Sequence, residues 1–267
     1  MKKIKGLLIY TFVLVLAMSL VGCGSKSDVS KLQQIKDKGV LVVGTSADYP
    51  PYEFHKEIDG KDTIVGFDMA IAKEIANDLG VELEIKDMKF DGLLGALTAG
   101  NIDMVAAGMT PTEERQKNAD FSKIYYMGQN VIIVNKANVD KYKTIEDLKD
   151  LKIGAQKSSI QEQFAKDEIK ATNIKSLSKI QDLVLELNNG NVDAVILSSN
   201  TADAHLKNYD KLTLSNIELS SGDEGSAMAF KKSEDKELLN EVNKTLDKLM
   251  KEGKVEQFVD EATKLSQ

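Results

Sequence analysis

The chain of 267 residues carries 35 basic and 42 acidic side chains, a formal charge of −7 at pH 7. A net acidic surface favours solubility and argues against a nucleic-acid partner. A single cysteine excludes an intrachain disulfide, three prolines and the lack of a low-complexity run argue against long disordered segments, and the length accommodates two lobes of ordinary size.

At the N-terminus, Lys2, Lys3 and Lys5 precede an apolar run from Gly6 to Met18, and Leu20-Val21-Gly22 leads into Cys23. This pattern reads as a secretory signal, because the run is shorter than the roughly 20 residues a spanning helix needs. Leu20-Val21-Gly22-Cys23 resembles a bacterial lipobox. The resemblance implies that residues 1–22 are removed, that Cys23 carries acyl chains such as palmitate, and that the protein is anchored on the extracytoplasmic face of the cell membrane. Two or more chains suffice for stable anchoring at about 0.8 kcal/mol per buried CH2. Loss of three lysines takes the formal charge from −7 to −10. Residues 23–37 are expected to form the lipidated cysteine and a tether.

Val40-Leu41-Val42-Val43 is a continuous apolar run that stops at Gly44, the pattern of a buried strand. Asp68 to Leu79 places Met69, Ala72, Ile75, Ala76 and Leu79 on one face, with Gly80 as C-terminal cap. Val81, Leu83 and Ile85 alternate with charged residues as in a half-buried strand. Asp91 can cap a helix bearing Leu93, Leu94 and Leu97, stopped by Gly100, and Ile102 to Ala107 is the next strand. Such βαβ succession predicts a parallel sheet covered by helices. The segment Leu97 to Val105, with Gly100-Asn101-Ile102-Asp103, is echoed by Leu187 to Val195, with Gly190-Asn191-Val192-Asp193; Leu41 to Gly44 is echoed by Leu151 to Gly154. The echoes predict two similar lobes, one from residues 38–132 plus 220–267, the other from residues 136–216, with a helix from Glu234 to Leu249 packed on the first. Ligands of open parallel sheets bind beyond the strands' C-terminal ends, here Thr45 to Tyr49, Ala107 to Thr110, Ala155 to Ser159 and Ser198 to Asn200. Hinges are expected near Gln129 to Asn135 and Ile217 to Ser226.

Gly44 to Phe54, Gly66-Phe67-Asp68, Phe90-Asp91-Gly92-Leu93 and above all Gly108-Met109-Thr110-Pro111-Thr112-Glu113-Glu114-Arg115 resemble the type II periplasmic binding proteins of the polar amino acid family, the receptors of ABC importers. The resemblance covers nearly the whole chain beyond Cys23. It implies a two-lobed α/β fold, each lobe a mostly parallel sheet flanked by helices and joined by two crossover segments. It further implies an amino acid or close analogue as ligand, a permease as partner, a monomer and no cofactor. Arg115 lies just beyond a Thr-Pro-Thr turn, and its planar fork can take a carboxylate bidentately; the matching arginine of the family does so. By the same resemblance Thr110 and the backbone at Ala107 and Gly108 hydrogen-bond the ligand, Tyr49 and Phe90 sandwich it, and Gln156, Ser159 and Gln161 meet it from the second lobe. Phe67 and Phe121 keep a plain core reading.

Two positions depart from the family. Ser46 stands where members selective for cationic side chains often carry an acid, so a neutral polar or moderately apolar side chain is expected. Ser198 stands where many members have an Asp for the α-ammonium, and Asp223 and Glu224 are candidate substitutes. One competing reading is a dehydratase for cyclic acids on the same fold, which needs a sheltered acid of raised pKa, whereas the expected cleft positions are mostly Ser, Thr, Gln and Gly. Another is an extracytoplasmic sensor. A metal site is not expected, since His55 and His205 fall in opposite lobes.

Overall fold

The computed structural model describes residues 29–219 and 223–266, with only the backbone for Asp223 and Glu224. The expected signal segment, Cys23 and the start of the tether lie outside the described residues. The tether is shorter than expected, because α1 (Lys31–Lys38) is a helix. Ser30 Oγ caps it by accepting from Gln33 N, and its Ile35 is 2% exposed in the core. Lys31 N donates to Asp235 Oδ2 at 2.7 Å, so the segment belongs to the folded body.

The chain continues through β1 (Val40–Thr45), β2 (Asp48–Tyr49), β3 (Glu53–Ile58), β4 (Lys61–Val65), α2 (Phe67–Leu79), β5 (Glu82–Asp87), α3 (Leu93–Ala99), β6 (Met104–Val105), α4 (Glu113–Gln116) and β7 (Ala119–Phe121). A long strand, β8 (Tyr126–Asn135), leads to β9 (Lys152–Gln156), α5 (Ile160–Asp167), β10 (Asn173–Leu177), α6 (Ile180–Asn188), β11 (Ala194–Ser198), α7 (Ser199–Leu206) and β12 (Leu212–Leu214). The chain closes with β13 (Asp223–Ser226), β14 (Ala229–Lys231), α8 (Glu237–Lys251) and α9 (Lys254–Leu265). The first sheet has the order β5-β1-β6-β14-β7 and the second β10-β9-β11-β8-β12, while β2-β3-β4 form a small antiparallel sheet. In each large sheet a single strand, β14 or β8, runs against the others. Among the described residues no helix is long and apolar enough to cross a membrane.

The sequence echoes occupy equivalent places in the two sheets, and the reason is physical. Asp103 Oδ2 accepts from Val42 N at 2.9 Å, and Asp193 Oδ2 accepts from Lys152 N at 2.8 Å, so each Gly-Asn-X-Asp run ties the third strand to the first. Gly44 and Gly154 lie in β1 and β9 where a Cβ would stand 2.4 Å from Ile102 Cδ1 and 2.9 Å from Val195 Cγ2. In both sheets the side chain of a neighbouring segment, Ile102 before β6 or Val195 in β11, thus packs against the bare glycine.

The crossing between the sheets lies slightly upstream of where the sequence places it. Val131 to Val134 pair with β11 as part of the second sheet, whereas Tyr126 to Gln129 pair antiparallel with Ser226 to Asp223. An apolar Val-Ile-Ile-Val run is more stable inside a sheet than in a hinge, so the two connecting strands meet at Tyr126–Gln129 and Asp223–Ser226. Helix α8 packs on α2 through buried Leu238, Val242, Leu246 and Leu249, as its amphipathic pattern predicts.

Helix α2 is the element that places the site. Its first donors have no side-chain cap; Phe67 N and Asp68 N instead bond the carbonyls of Pro51 and Tyr52 at 3.1 and 3.0 Å. That approach requires Gly66, with φ 130° and ψ 168°, where a Cβ would lie 2.1 Å from the Tyr52 carbonyl oxygen. One residue into the helix, Asp68 is 0% exposed and accepts from Gly108 N at 2.8 Å and Tyr125 Oη at 2.7 Å. Burial pushes its carboxyl up to about 6, against the opposing pull of those two donors.

Gly66→Ala should destabilise the protein by about 2 kcal/mol or more in urea unfolding, since this backbone region is essentially glycine-only and the clash is with main chain; an unchanged midpoint would contradict the assigned contact. Asp68 has its pKa raised on folding, so it is the folded state that keeps the proton between pH 4 and 6. Its contribution to stability is therefore present at low pH and lost as pH rises through that window, on the order of 3 kcal/mol. Relative to Asp68→Asn, the parent protein should lose that much stability between pH 4 and pH 7; parallel urea curves at both pH values would contradict the shift.

Candidate ligand-binding site

The loops at the C-terminal ends of β1, β6 and β9 converge on one narrow cavity. Ser46, Tyr49, Glu53, Phe90, Ala107, Gly108, Thr110 and Arg115 line it from the side of the first sheet, and Gln156, Ser159, Ile160 and Gln161 from the side of the second. Every ligand residue expected from the sequence lies in this lining except Ser198. Two further lining residues, Glu53 and Ile160, were not expected.

Arg115 is the only basic side chain among the described lining residues. Its Nη1 donates to the Thr110 carbonyl and its Nη2 to the Ser158 carbonyl, both at 2.9 Å, so the guanidinium bridges the two lobes. The guanidinium carbon sits 5.3 Å from the centre of the Phe90 ring, a cation–π distance. Thr112 Oγ1 caps the short helix α4 by accepting from Arg115 N at 3.3 Å, which fixes where the side chain starts.

Across the cleft, Ser159 Oγ accepts from Glu162 N and donates to the Gln156 carbonyl, while Glu162 Oε2 accepts from Ser158 N at 2.8 Å. Ser159 is thereby the N-cap of α5 and serves the helix and the cavity wall together. Gln161 Nε2 donates to Asn130 Oδ1 at 3.0 Å, and Gln156 Nε2 to the Ser178 carbonyl at 3.2 Å. On the first side, the Tyr49 and Tyr52 rings lie 5.0 Å apart and Tyr52 stacks obliquely on Phe67 at 4.4 Å, so Phe67 is core as expected.

Ser198 is displaced from the site by its own chemistry. It is 1% exposed at the end of β11, where its Oγ contacts Thr201 Oγ1 at 2.9 Å and accepts from Thr201 N as the cap of α7. It pairs in register with Asn130, one layer behind Gln161. The side chains of Asp223 and Glu224, the candidate substitutes, lie outside the described residues.

Glu53 supplies the acid that the sequence reading lacked. It is 1% exposed, lines the cavity, and among the described residues neither carboxyl oxygen has a hydrogen-bond partner. Burial first, then the charges of Asp68, Asp48 and Asp87, hold its pKa well above the ordinary value. The expectation of a cleft without a sheltered acid is therefore corrected. A detectable signal was present: in β3 an acid sits between Tyr52 and Phe54, and register with Tyr49 turns it toward the site. Asp48 is also buried, but its Oδ2 accepts from Ile180 N at 2.7 Å and its Oδ1 from Ser46 Oγ at 3.1 Å. It thereby caps α6 from the opposite lobe. His55 stands between Asp62 and Asp87, whereas His205 is buried on α7 with its pKa lowered to about 4 by burial.

Residues 41–263 match the model of the bacterial extracellular solute-binding proteins, family 3. The chain is 37% identical over 190 residues to the arginine-binding extracellular protein ArtP of Bacillus subtilis, covering 70% of this chain and 71% of ArtP. In the solved structures, it resembles the amino acid ABC transporter substrate-binding protein AbpA of Streptococcus pneumoniae bound to L-arginine, with TM-score 0.84 and 40% identity over 88% of this chain and 98% of that one. It also resembles the ancestral amino acid-binding protein AncCDT-1, a precursor of cyclohexadienyl dehydratase, with TM-score 0.80 and 33% identity over 88% and 100% of the two chains. With a family match spanning both sheets and the cavity between them, the chain belongs to the bacterial extracellular solute-binding proteins, family 3.

Proposed function

We propose that the protein is the substrate-binding component of an ABC importer and that its ligand is an amino acid, or close analogue, with a cationic end. The observation that carries this reading is Glu53, a buried carboxyl group that among the described residues has no hydrogen-bond partner and that shares one cavity with Arg115. Arg115 takes the ligand carboxylate, whose geometry its fork matches, and Glu53 the cation, whose approach stabilises the ionised form of the buried carboxyl. Tyr49 and Phe90 enclose the apolar stem between the poles. The preference for a neutral side chain inferred from Ser46 is replaced, since Glu53 provides the acid from the next strand; the arginine named for ArtP and AbpA agrees with that assignment. Each large sheet with its helices forms one lobe, and the two close by hinge motion at the paired strands β8 and β13. Cys23 carries a lipid that holds the monomer beside its permease.

A second reading rests on the same Glu53. A sheltered carboxyl of raised pKa can donate a proton, and AncCDT-1 is described as a precursor of a dehydratase. Mass spectrometry of cyclic hydroxy acids incubated with the protein decides it: accumulation of a dehydrated product supports the enzyme, and unchanged acid removes it.

Calorimetry on the domain from residue 24 onward should give saturable binding for a cationic amino acid or analogue, and Arg115→Ala should weaken it by roughly a hundredfold, about 3 kcal/mol. Retained affinity would show that the carboxylate docks elsewhere. A cationic ligand binds the ionised form of Glu53, so binding releases a proton wherever the ligand-free residue holds one. Affinity should therefore rise with pH until the raised pKa of Glu53 is passed, and Glu53→Gln should flatten that dependence while weakening the cationic ligand at neutral pH by about tenfold or more. A pH profile identical in the two proteins would remove Glu53 from the ligand contact.

A further inference from the structure

The charge balance of the cavity points to a narrower ligand class. Among the described lining residues there is one cation, Arg115, and one carboxylate, Glu53. Neighbouring acids are committed elsewhere. Asp48 accepts from Ile180 N and Ser46 Oγ, Asp68 from Gly108 N and Tyr125 Oη, and Asp87 from Ala47 N at 2.9 Å. The wall from the second sheet is neutral throughout, formed by Gln156, Ser159, Ile160 and Gln161. Behind it, Asn130 meets Gln161 and Ser198 caps α7, so among the described residues no carboxylate stands in reserve on that side.

A basic α-amino acid brings two cations and one carboxylate. With its carboxylate on Arg115 and its side-chain cation on Glu53, the α-ammonium is confined next to the Arg115 guanidinium, where like charges repel. Among the described lining residues, hydroxyl, amide and carbonyl oxygens are left to receive it. An ammonium removed from water without a carboxylate is costly, whereas a neutral amide or methylene in the same place meets the hydroxyl and amide groups of Ser159 and Gln161 without that cost.

Resting on the reading of Arg115 and Glu53 given above, we propose that the physiological ligand is a monocationic acid: a carboxylate joined through an apolar stem to one ω-guanidinium or ω-ammonium group, with the α-position uncharged, either unsubstituted or N-acylated. The neutral wall of the second lobe is then a specificity determinant that rejects a free α-ammonium.

Calorimetry of the intact domain against 5-guanidinopentanoic acid, Nα-acetyl-L-arginine, L-arginine and L-glutamine tests this directly. The expected result is that at least one of the first two binds tenfold or more tighter than L-arginine. Tighter binding of L-arginine than of both analogues overturns the proposal and leaves the receptor reading intact. Binding of L-glutamine alone, or of none of the four, overturns the assignment of Glu53 as cation acceptor and the proposal with it. Gln161→Glu, which places a carboxylate in the wall, should move the preference toward L-arginine by at least tenfold. If that variant retains the parent urea midpoint and leaves the preference unmoved, the wall does not set specificity.

Discussion

A carboxyl group removed from water must find donors inside the protein, and Asp68 finds them in Gly108 N and the hydroxyl of Tyr125. Because Asp68 rides on the first turn of α2, that pair of bonds fastens the helix to the loop after β6 and to the segment entering the hinge. Gly66 lets the same helix start against the Tyr52 carbonyl, which sets Tyr52 and Glu53 at the mouth of the first sheet. The wall from the first lobe thus depends on a few buried polar contacts whose loss is expensive, while the apolar packing of α2 against α8 holds the scaffold behind them.

The two lobes meet through contacts of unequal worth. Asp48 reaches across to cap α6 in a buried setting, and the Arg115 guanidinium bonds the Ser158 carbonyl, so the residue proposed to take the ligand carboxylate is itself part of the closure. Lys157 pairs with Asp91 at 2.9 Å on the rim, where the lysine is over half exposed, and solvent leaves such a pair little net value. Closure consequently concentrates at the cavity rather than around its edge. A ligand that bridges Arg115 and Glu53 adds its differential contacts where the lobes already touch, which is how binding energy shifts the open–closed balance.

The sequence determined the periodic elements, the duplicated sheet topology and the loops that meet at the cleft. Strand and helix periods, the glycine stops and the Gly-Asn-X-Asp echo are local patterns, and each has a local cause: a cap, a bonded aspartate or a strand glycine crowded by its neighbours. Arg115, Tyr49, Phe90 and the Ser159 turn were legible for a related reason, since each sits at a fixed offset from a strand end or a helix cap. What only the tertiary structure decided is where charge is desolvated. Ser198 faces its own helix rather than the cleft because the α7 cap claims its hydroxyl, and Glu53 becomes the acidic pole because the β2–β3 register and the α2 start bury it among Asp48, Asp68 and Asp87. Burial and the company of other charges arise from residues distant in the chain, so no spacing rule records them.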